Sequence, residues 1–187
     1  MDVVILAEDG SALTEEQGEL CCKSAFPSMP IGFWNDDNNE RFIQAYFSRF
    51  PNTWAHGDYA ERTAQGSYII YGRSDTVLNP GGVRIGTAEI YRQVEKIASV
   101  KESIAVGQQW DDDERVILFV VMQDNVTLDS AIIDSIRAMI RTNTTPRHMP
   151  AKILQVSDIP KTHSGKITEK AVNQIVNYNE KKNSFNI

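Results

Sequence analysis

The sequence predicts an α+β fold in two parts. Residues 1–74 read as a strand-rich portion without a complete sheet of its own. Residues 75–187 read as a compact domain of helices around a small three-stranded sheet. Three observations predict this. Short apolar runs bounded by turn residues fill the first part. In the second part, two stretches with helical apolar spacing alternate with β-branched runs. The charge balance changes at the same place, since residues 1–74 carry 5 basic and 11 acidic side chains and residues 75–187 carry 14 of each.

Residues 3–7 form the first expected strand, Asp9-Gly10 a turn, and Gly18 to Lys23 a returning strand. The stretch Phe26-Pro27-Ser28-Met29-Pro30-Ile31-Gly32-Phe33-Trp34 is apolar but holds two prolines, which lack ladder donors, so it reads as an irregular loop. Asn38 or Asn39 caps a helix reaching about Arg49, with Phe42, Ala45, Tyr46 and Phe50 on one side. Trp54 to Tyr59 and Tyr68 to Tyr71 are two strands joined near Gln65-Gly66. Thr87 caps a helix through Ile97, whose apolar spacing is Ile90, Val94, Ile97. Ser103 to Val106 and Val116 to Met122 are strands separated by the acidic turn Asp111-Asp112-Asp113-Glu114. Thr127 or Asp129 opens a helix through about Arg141, with Ile132, Ile133, Ile136, Met139 and Ile140 as its buried stripe. Lys152 to Val156 is a strand, Thr168 to about Tyr178 a last helix, and Lys181 to Ile187 a fraying tail.

Composition narrows the function. The chain has 187 residues, 41% hydrophobic and 24% charged, which fits a folded domain rather than a disordered one. A net charge of −6 excludes a nucleic-acid binder that works by overall basicity. No run approaches the ~18 apolar residues of a membrane span. Met1-Asp2-Val3-Val4-Ile5-Leu6 lacks the basic lead of a secretory signal. The expectation is a cytoplasmic protein with small-molecule partners and neither a nucleic acid nor a membrane. Cys21 and Cys22 are adjacent, so they point to opposite faces of a strand and read as two buried thiols. His56, His148 and His163 show no ligand spacing, and no metal site is expected.

Three segments are richer in Gly, Asp, Arg and Lys than folding requires. In Trp54-Ala55-His56-Gly57-Asp58-Tyr59, a carboxylate after a glycine at a strand end can accept from a sugar diol; alone, Gly-Asp is a turn pair. Between Tyr71 and Ile90, Arg73 and Arg84 offer planar donor forks suited to phosphate or ribose oxygens. There, Gly81-Gly82 lets backbone approach a ligand. In Ile159-Pro160-Lys161-Thr162-His163-Ser164-Gly165-Lys166-Ile167, Ser-Gly puts Lys166 on a flexible loop before a helix. This is not a Walker loop, since Pro160 stands where the first glycine is needed and Ile167 where Ser or Thr is needed. Residues 137–170 carry seven basic side chains against Asp158 and Glu169, a local +5 that suits an anion site or a solvated basic face.

Gly57-Asp58, Gly72-Arg73-Ser74-Asp75 and Pro160-Lys161-Thr162-His163-Ser164-Gly165-Lys166, in this order, resemble the adenylate-forming superfamily of acyl-CoA synthetases, luciferases and adenylation domains. Within it, Phe26 to Asp36, Leu78 to Tyr91 and Asn143 to Pro150 are similar to the bacterial acetoacetyl-CoA synthetases. The resemblance implies that Asp58 holds the ribose hydroxyls of ATP and that Arg73 and Arg84 bind the nucleotide. It implies Asp75 as the hinge, Gly82 and Arg141 as CoA-binding, and Lys166 as the catalytic residue of adenylation. His163 receives no role. ATP with Mg²⁺ and CoA are implied as substrates, with no prosthetic group and no resident metal. The superfamily's phosphate loop and acyl-pocket segment do not appear in these residues. The chain therefore reads as the end of a large N-terminal domain (1–74) plus the whole C-terminal lid (75–187). It is expected to be inactive without the missing N-terminal domain. The resemblance implies an acetoacetate–CoA ligation as the parent reaction. Alternatives are the same chemistry on acetate, propionate or another short acid, and a stand-alone nucleotide- or CoA-binding module.

Overall fold

A computed structural model describes residues 1–183, with side chains through Tyr178. The chain divides into two compact units, Met1–Asp75 and a second beginning at Thr76.

The first unit is built on β1 (Val3–Leu6), β2 (Ala12–Leu13), β3 (Gln17–Cys22), β4 (Trp54–Arg62) and β5 (Tyr68–Arg73). They hydrogen-bond in the order β2-β1-β3-β4-β5, each neighbouring pair antiparallel. The expected strand-rich portion is thus a five-stranded sheet. The edge strand β2 has only two residues, too few for alternation to reveal it. Leu6, Cys21, Phe50 and Ala55 form the core of this unit.

The helix α1 (Glu40–Tyr46) is shorter than its apolar spacing suggests. Asn39 precedes it in the left-handed conformation with no side-chain cap bond. Asp36 does the capping instead, its two carboxylate oxygens accepting from the Arg41 and Phe42 N–H groups at 3.1 and 2.9 Å. Phe50 lies beyond the helix and packs into the core. The helix docks on β4 through aromatic rings: Tyr46 stacks on Trp54 at 3.7 Å, and Phe42 and Phe47 tilt around them.

The second unit contains α2 (Thr87–Val94), β6 (Val100–Trp110), β7 (Asp113–Met122), α3 (Ser130–Asn143), β8 (Lys152–Gln155) and α4 (Glu169–Asn183). The sheet order is β6-β7-β8, with β6–β7 antiparallel and β7–β8 parallel. A parallel pair needs a crossover, and α3 supplies it. Asp129 caps α3 by accepting from the Ile132 N–H at 2.9 Å.

Both faces of this sheet are covered, which explains the unbroken apolar run of β7. Leu118 and Val120 face Ile90 and Val94 of α2 and Ile136 and Ile140 of α3. Ile117 and Val121 face the other way, with Ile104, Val106, Ile159 and, from α4, Val172 and Val176. The α+β architecture with a three-stranded sheet is the expected one.

Three boundaries differ from the sequence reading. Thr87 is the first helical residue rather than the cap; Gly86 precedes the helix, and Glu89 Oε1 accepts the Gly86 N–H at 3.0 Å. The acidic turn is only Asp111-Asp112, both with positive φ (54° and 58°), as a two-residue hairpin turn demands. Asp113 and Glu114 belong to β7. Finally, α4 continues through Asn183, past the expected fraying point at Lys181, and residues 184–187 lie outside the described residues.

Cys21 and Cys22 are free and buried. Burial, and then the Glu19 carboxylate, push the Cys21 thiol up from 9.0 to about 12. The folded state keeps a proton that the unfolded chain releases near pH 9. Stability is therefore full below pH 9 and falls as pH rises from 9 to about 12, by on the order of 4 kcal/mol in all. Urea midpoints measured from pH 8 to 11 should fall in the native chain and fall less steeply in Cys21→Ala, where Cys22 and Tyr91 still hold protons that the unfolded chain releases; equal slopes would refute the assignment.

Candidate functional site

The residues singled out from sequence fall into three local groups, one in the first unit and two in the second.

In the first unit, Asp58 and Arg73 are cross-strand partners on β4 and β5. Asp58 Oδ1 accepts from Arg73 Nη1 at 3.2 Å, and Asp58 Oδ2 lies 3.4 Å from His56 Nε2. Trp54 Nε1–H donates to His56 Nδ1 at 3.3 Å, which puts the remaining imidazole hydrogen on the side facing Asp58. Arg73 also lies 3.7 Å from Asp75. Gly57 sits between these groups at φ +82°, and a Cβ there would come within 2.6 Å of Arg73 Nη2. The guanidinium thus rests on a bare backbone.

Glu19, which sequence reading did not select, lies beneath them. It is 3% exposed, yet both oxygens are satisfied: Oε1 accepts the Gly57 N–H and Oε2 accepts from Arg49 Nη1, each at 2.7 Å. Glu19, Arg49, Gly57, Arg73 and Asp75 line a cavity of about 290 Å³. The signal is a single carboxylate within the strand Gly18-Glu19-Leu20-Cys21-Cys22, where a buried charge requires partners.

In the second unit, residues 78–85 form a loop closed by backbone bonds between buried Leu78 and Ile85, at 2.9 and 2.8 Å. Arg84 and Gly82 are exposed on it. Gly82 has φ +75° with no atom within 4 Å of a built Cβ, so the space beside it is open. Gly81, at φ +60°, is the reverse, because the Arg147 guanidinium occupies the place a Cβ would take. Arg147 Nη1 donates to the Pro80 carbonyl at 3.2 Å. From the hairpin, Asp113 Oδ1 accepts the Gly81 N–H at 2.9 Å and Glu114 Oε1 accepts the Asn79 N–H at 2.6 Å. Those backbone bonds, from Glu114 and Gly81 N–H, hold the Asp113 carboxyl below its usual range. Burial pushes the Glu114 carboxyl up. Asp113, Glu114 and Arg147 are thus loop supports found only in three dimensions. Arg141 is exposed in the last turn of α3 and is not among the groups that brace this loop.

Lys166 lies in a second closed turn. Lys161 and Ile167 form a bridge, Thr162 N–H donates to the Lys166 carbonyl at 2.7 Å, and Lys166 N–H donates to Thr162 Oγ1 at 3.1 Å. Gly165 completes the turn at φ +83°. The expected flexible loop is therefore a hydrogen-bonded hairpin. The Lys166 side chain is exposed, and among the described residues its ammonium has no partner. Lys161 Nζ pairs with Glu102 at 2.6 Å and ties the turn to the start of β6. His163 is exposed on the same turn.

The two loops of the second unit are therefore anchored at opposite ends of one hairpin. The lysine turn is tied at Glu102; the glycine loop is tied at Asp113 and Glu114, which pair with Trp110 and Gln109. Seven residue steps of extended strand lead from Glu102 to Gln109, roughly 23 Å at about 3.3 Å per step.

A fourth cluster joins the unit's interior. Glu169 Oε2 accepts from Thr76 Oγ1 and Oε1 accepts from Tyr91 Oη, both at 2.6 Å. Tyr91 Oη accepts the Ala105 N–H at 3.1 Å. Burial, then the charge and hydrogen bond of Glu169, raise the Tyr91 hydroxyl well above its usual range, so it stays a donor at neutral pH.

Known proteins share this architecture. Residues 91–166 match the family described as AMP-binding enzyme C-terminal domain. The chain is 52% identical over 176 residues to an acetoacetyl-coenzyme A synthetase of Rhizobium meliloti, covering 94% of this chain and 27% of that protein. It is 46% identical over 171 residues to an acetoacetyl-CoA synthetase of Xenopus tropicalis, covering 90% and 25%. The solved structure of acetoacetyl-CoA synthetase from Streptomyces lividans superposes with a TM-score of 0.87 at 40% identity, covering 93% of this chain and 26% of that one. The chain thus spans about a quarter of the length of the curated relatives it matches, over their C-terminal part.

The bracing of the glycine loop predicts a coupled pair. Gly81→Ala carries left-handed strain of about 1 kcal/mol and also displaces Arg147. In an Arg147→Ala background only the strain remains. Urea unfolding of the four-member cycle should show a coupling of about 1 kcal/mol or more; additive losses would show that the contact carries no energy.

Proposed function

We propose that this chain, whose residues 91–166 match the family described as AMP-binding enzyme C-terminal domain, is the C-terminal part of an AMP-forming acetoacetate–CoA ligase. The reaction is acetoacetate plus ATP to acetoacetyl-AMP and pyrophosphate, followed by CoA attack to give acetoacetyl-CoA and AMP. Mg²⁺ enters with ATP as part of that substrate. The choice of acid rests on relatives named acetoacetyl-CoA synthetase, two of which are 52% and 46% identical to this chain.

The observation that carries the reading is the separation of the two loops along the β6–β7 hairpin. Adenylation builds negative charge where carboxylate meets α-phosphate, and a mobile ammonium there lowers the barrier. Thioester formation instead needs a passage for the pantetheine thiol. An exposed Lys166, without a partner among the described residues, suits the first task, and the open backbone at Gly82 suits the second. Anchored roughly 23 Å apart, the two serve one substrate in turn rather than together. Asp75, the last residue of the first compact unit, is the joint in this reading.

In the first unit, Asp58 is the acceptor for the ribose hydroxyls. Its present partners, Arg73 and His56, are exchangeable donors that hold the carboxylate in place. Arg73 and Arg84 contribute guanidinium donors to nucleotide oxygens. Arg141 offers charge to a CoA phosphate.

In the complete enzyme, Lys166→Ala should lower acetoacetate-dependent pyrophosphate exchange by about 10²- to 10³-fold. CoA thioester formation from supplied acetoacetyl-AMP should stay within a few-fold of the parent. Equal loss in both half-reactions would refute the role. The 187-residue chain by itself should give no acetoacetate-dependent exchange, and measurable exchange would refute its dependence on a further domain.

A further inference from the structure

Lys166 lies on the returning limb of a turn, beside its closing bridge, so something must fix that turn against the body of its unit. Lys161, paired with Glu102, does so on one side. On the other side the chain runs from Lys166 through Thr168 into α4. Thr168 donates from both its N–H and its hydroxyl to the Pro160 carbonyl, each at 3.0 Å, which ties the far side of the turn back to its start. The next residue is Glu169.

Its carboxylate gathers three separate segments of the unit onto the start of α4. Oε2 accepts from Thr76, the first residue of the second unit, which is 8% exposed; Oε1 accepts from Tyr91 of α2. Tyr91 in turn receives the Ala105 N–H of β6. Bonds of 2.6 Å from hydroxyl to carboxylate are in the short, charge-assisted range. A carboxylate at the first residue of a helix is also favoured by the helix dipole.

We propose that Glu169 is a positioning residue for Lys166, clamping the lysine turn to Thr76 so that the backbone setting at the Asp75–Thr76 step is transmitted to the ammonium. The clamp rests on the reading of Lys166 as the adenylation residue, but its structural half stands apart from that reading. A change of backbone at residue 76 moves Thr76 Oγ1, and with it Glu169 and the base of the turn. The thioester half-reaction does not use Lys166, so it does not use the clamp.

Two measurements test this. In the 187-residue chain, hydrogen exchange at the amides of residues 162–168 and 76–78 should accelerate about tenfold or more in Thr76→Val and Glu169→Ala, with exchange in β7 unchanged. In the complete enzyme, Thr76→Val and Glu169→Ala should each lower pyrophosphate exchange about tenfold while leaving thioester formation from supplied acetoacetyl-AMP within twofold. Glu169→Gln, which keeps an acceptor oxygen, should recover part of the loss. In a Lys166→Ala background the clamp variants should have no further effect. Should Glu169→Ala fail to fold, Thr76→Val decides alone. Unchanged exchange at 162–168, equal loss in both half-reactions, or losses additive with Lys166→Ala would each overturn the clamp. A Lys166→Ala enzyme with normal pyrophosphate exchange would overturn the parent reading instead, whatever the hydrogen exchange shows.

Discussion

The ten-pair ladder between β6 and β7 is the constraint on which the second unit depends. Apolar side chains leave it on both faces and are covered on both, by α2 and α3 on one and by α4 on the other. A slip by one residue would exchange the two sets and break both cores at once. The register is therefore fixed, and so is the distance between the hairpin's ends. A soft or one-sided sheet would let the glycine loop and the lysine turn drift toward each other. This one holds them apart, as the proposed two-step chemistry requires.

Carboxylates do the holding. Glu102 fixes the lysine turn, Asp113 and Glu114 fix the glycine loop, and Glu19 fixes the backbone under Asp58. Glu102 accepts from an ammonium, Asp113 and Glu114 accept from loop N–H groups, and Glu19 accepts from the Gly57 N–H where the β3–β4 register is irregular. The net charge of −6 thus says little about the ligand: a good share of the acidic residues is used internally, while Arg84, Arg141 and Lys166 face outward. Overall charge and local charge have opposite signs because they serve different tasks.

Local chemistry was legible in the sequence and long-range pairing was not. The helical stripe of α3, its Asp129 cap and the strand β7 follow from spacing within a dozen residues. Gly165-Lys166 and Gly81-Gly82 were readable as loops because glycine marks backbone that side chains cannot follow. The supports were hidden. Glu169 looks like an ordinary acidic helix start, and its two hydroxyl partners lie 93 and 78 residues away. Asp113 and Glu114 look like turn residues, because nothing in Asp111-Asp112-Asp113-Glu114 tells which pair turns and which pairs. Asn39 was readable as a cap only because the sequence does not say which nearby side chain reaches the helix; Asp36 does.

The glycine pair shows how one motif divides its work. Both Gly81 and Gly82 have positive φ, so either would resist a side chain on backbone grounds alone. Their surroundings differ. The Arg147 guanidinium fills the space beside Gly81, while the space beside Gly82 is open. The first glycine lets the protein approach its own loop, and the second leaves room for something that is not protein. Gly57 follows the first pattern, with Arg73 laid on it. A glycine near a candidate site therefore has two distinct meanings, an internal seat or an external passage. What occupies the missing Cβ position tells them apart: guanidinium groups sit beside Gly81 and Gly57, and in the proposed reading the open space beside Gly82 is the one left to a ligand.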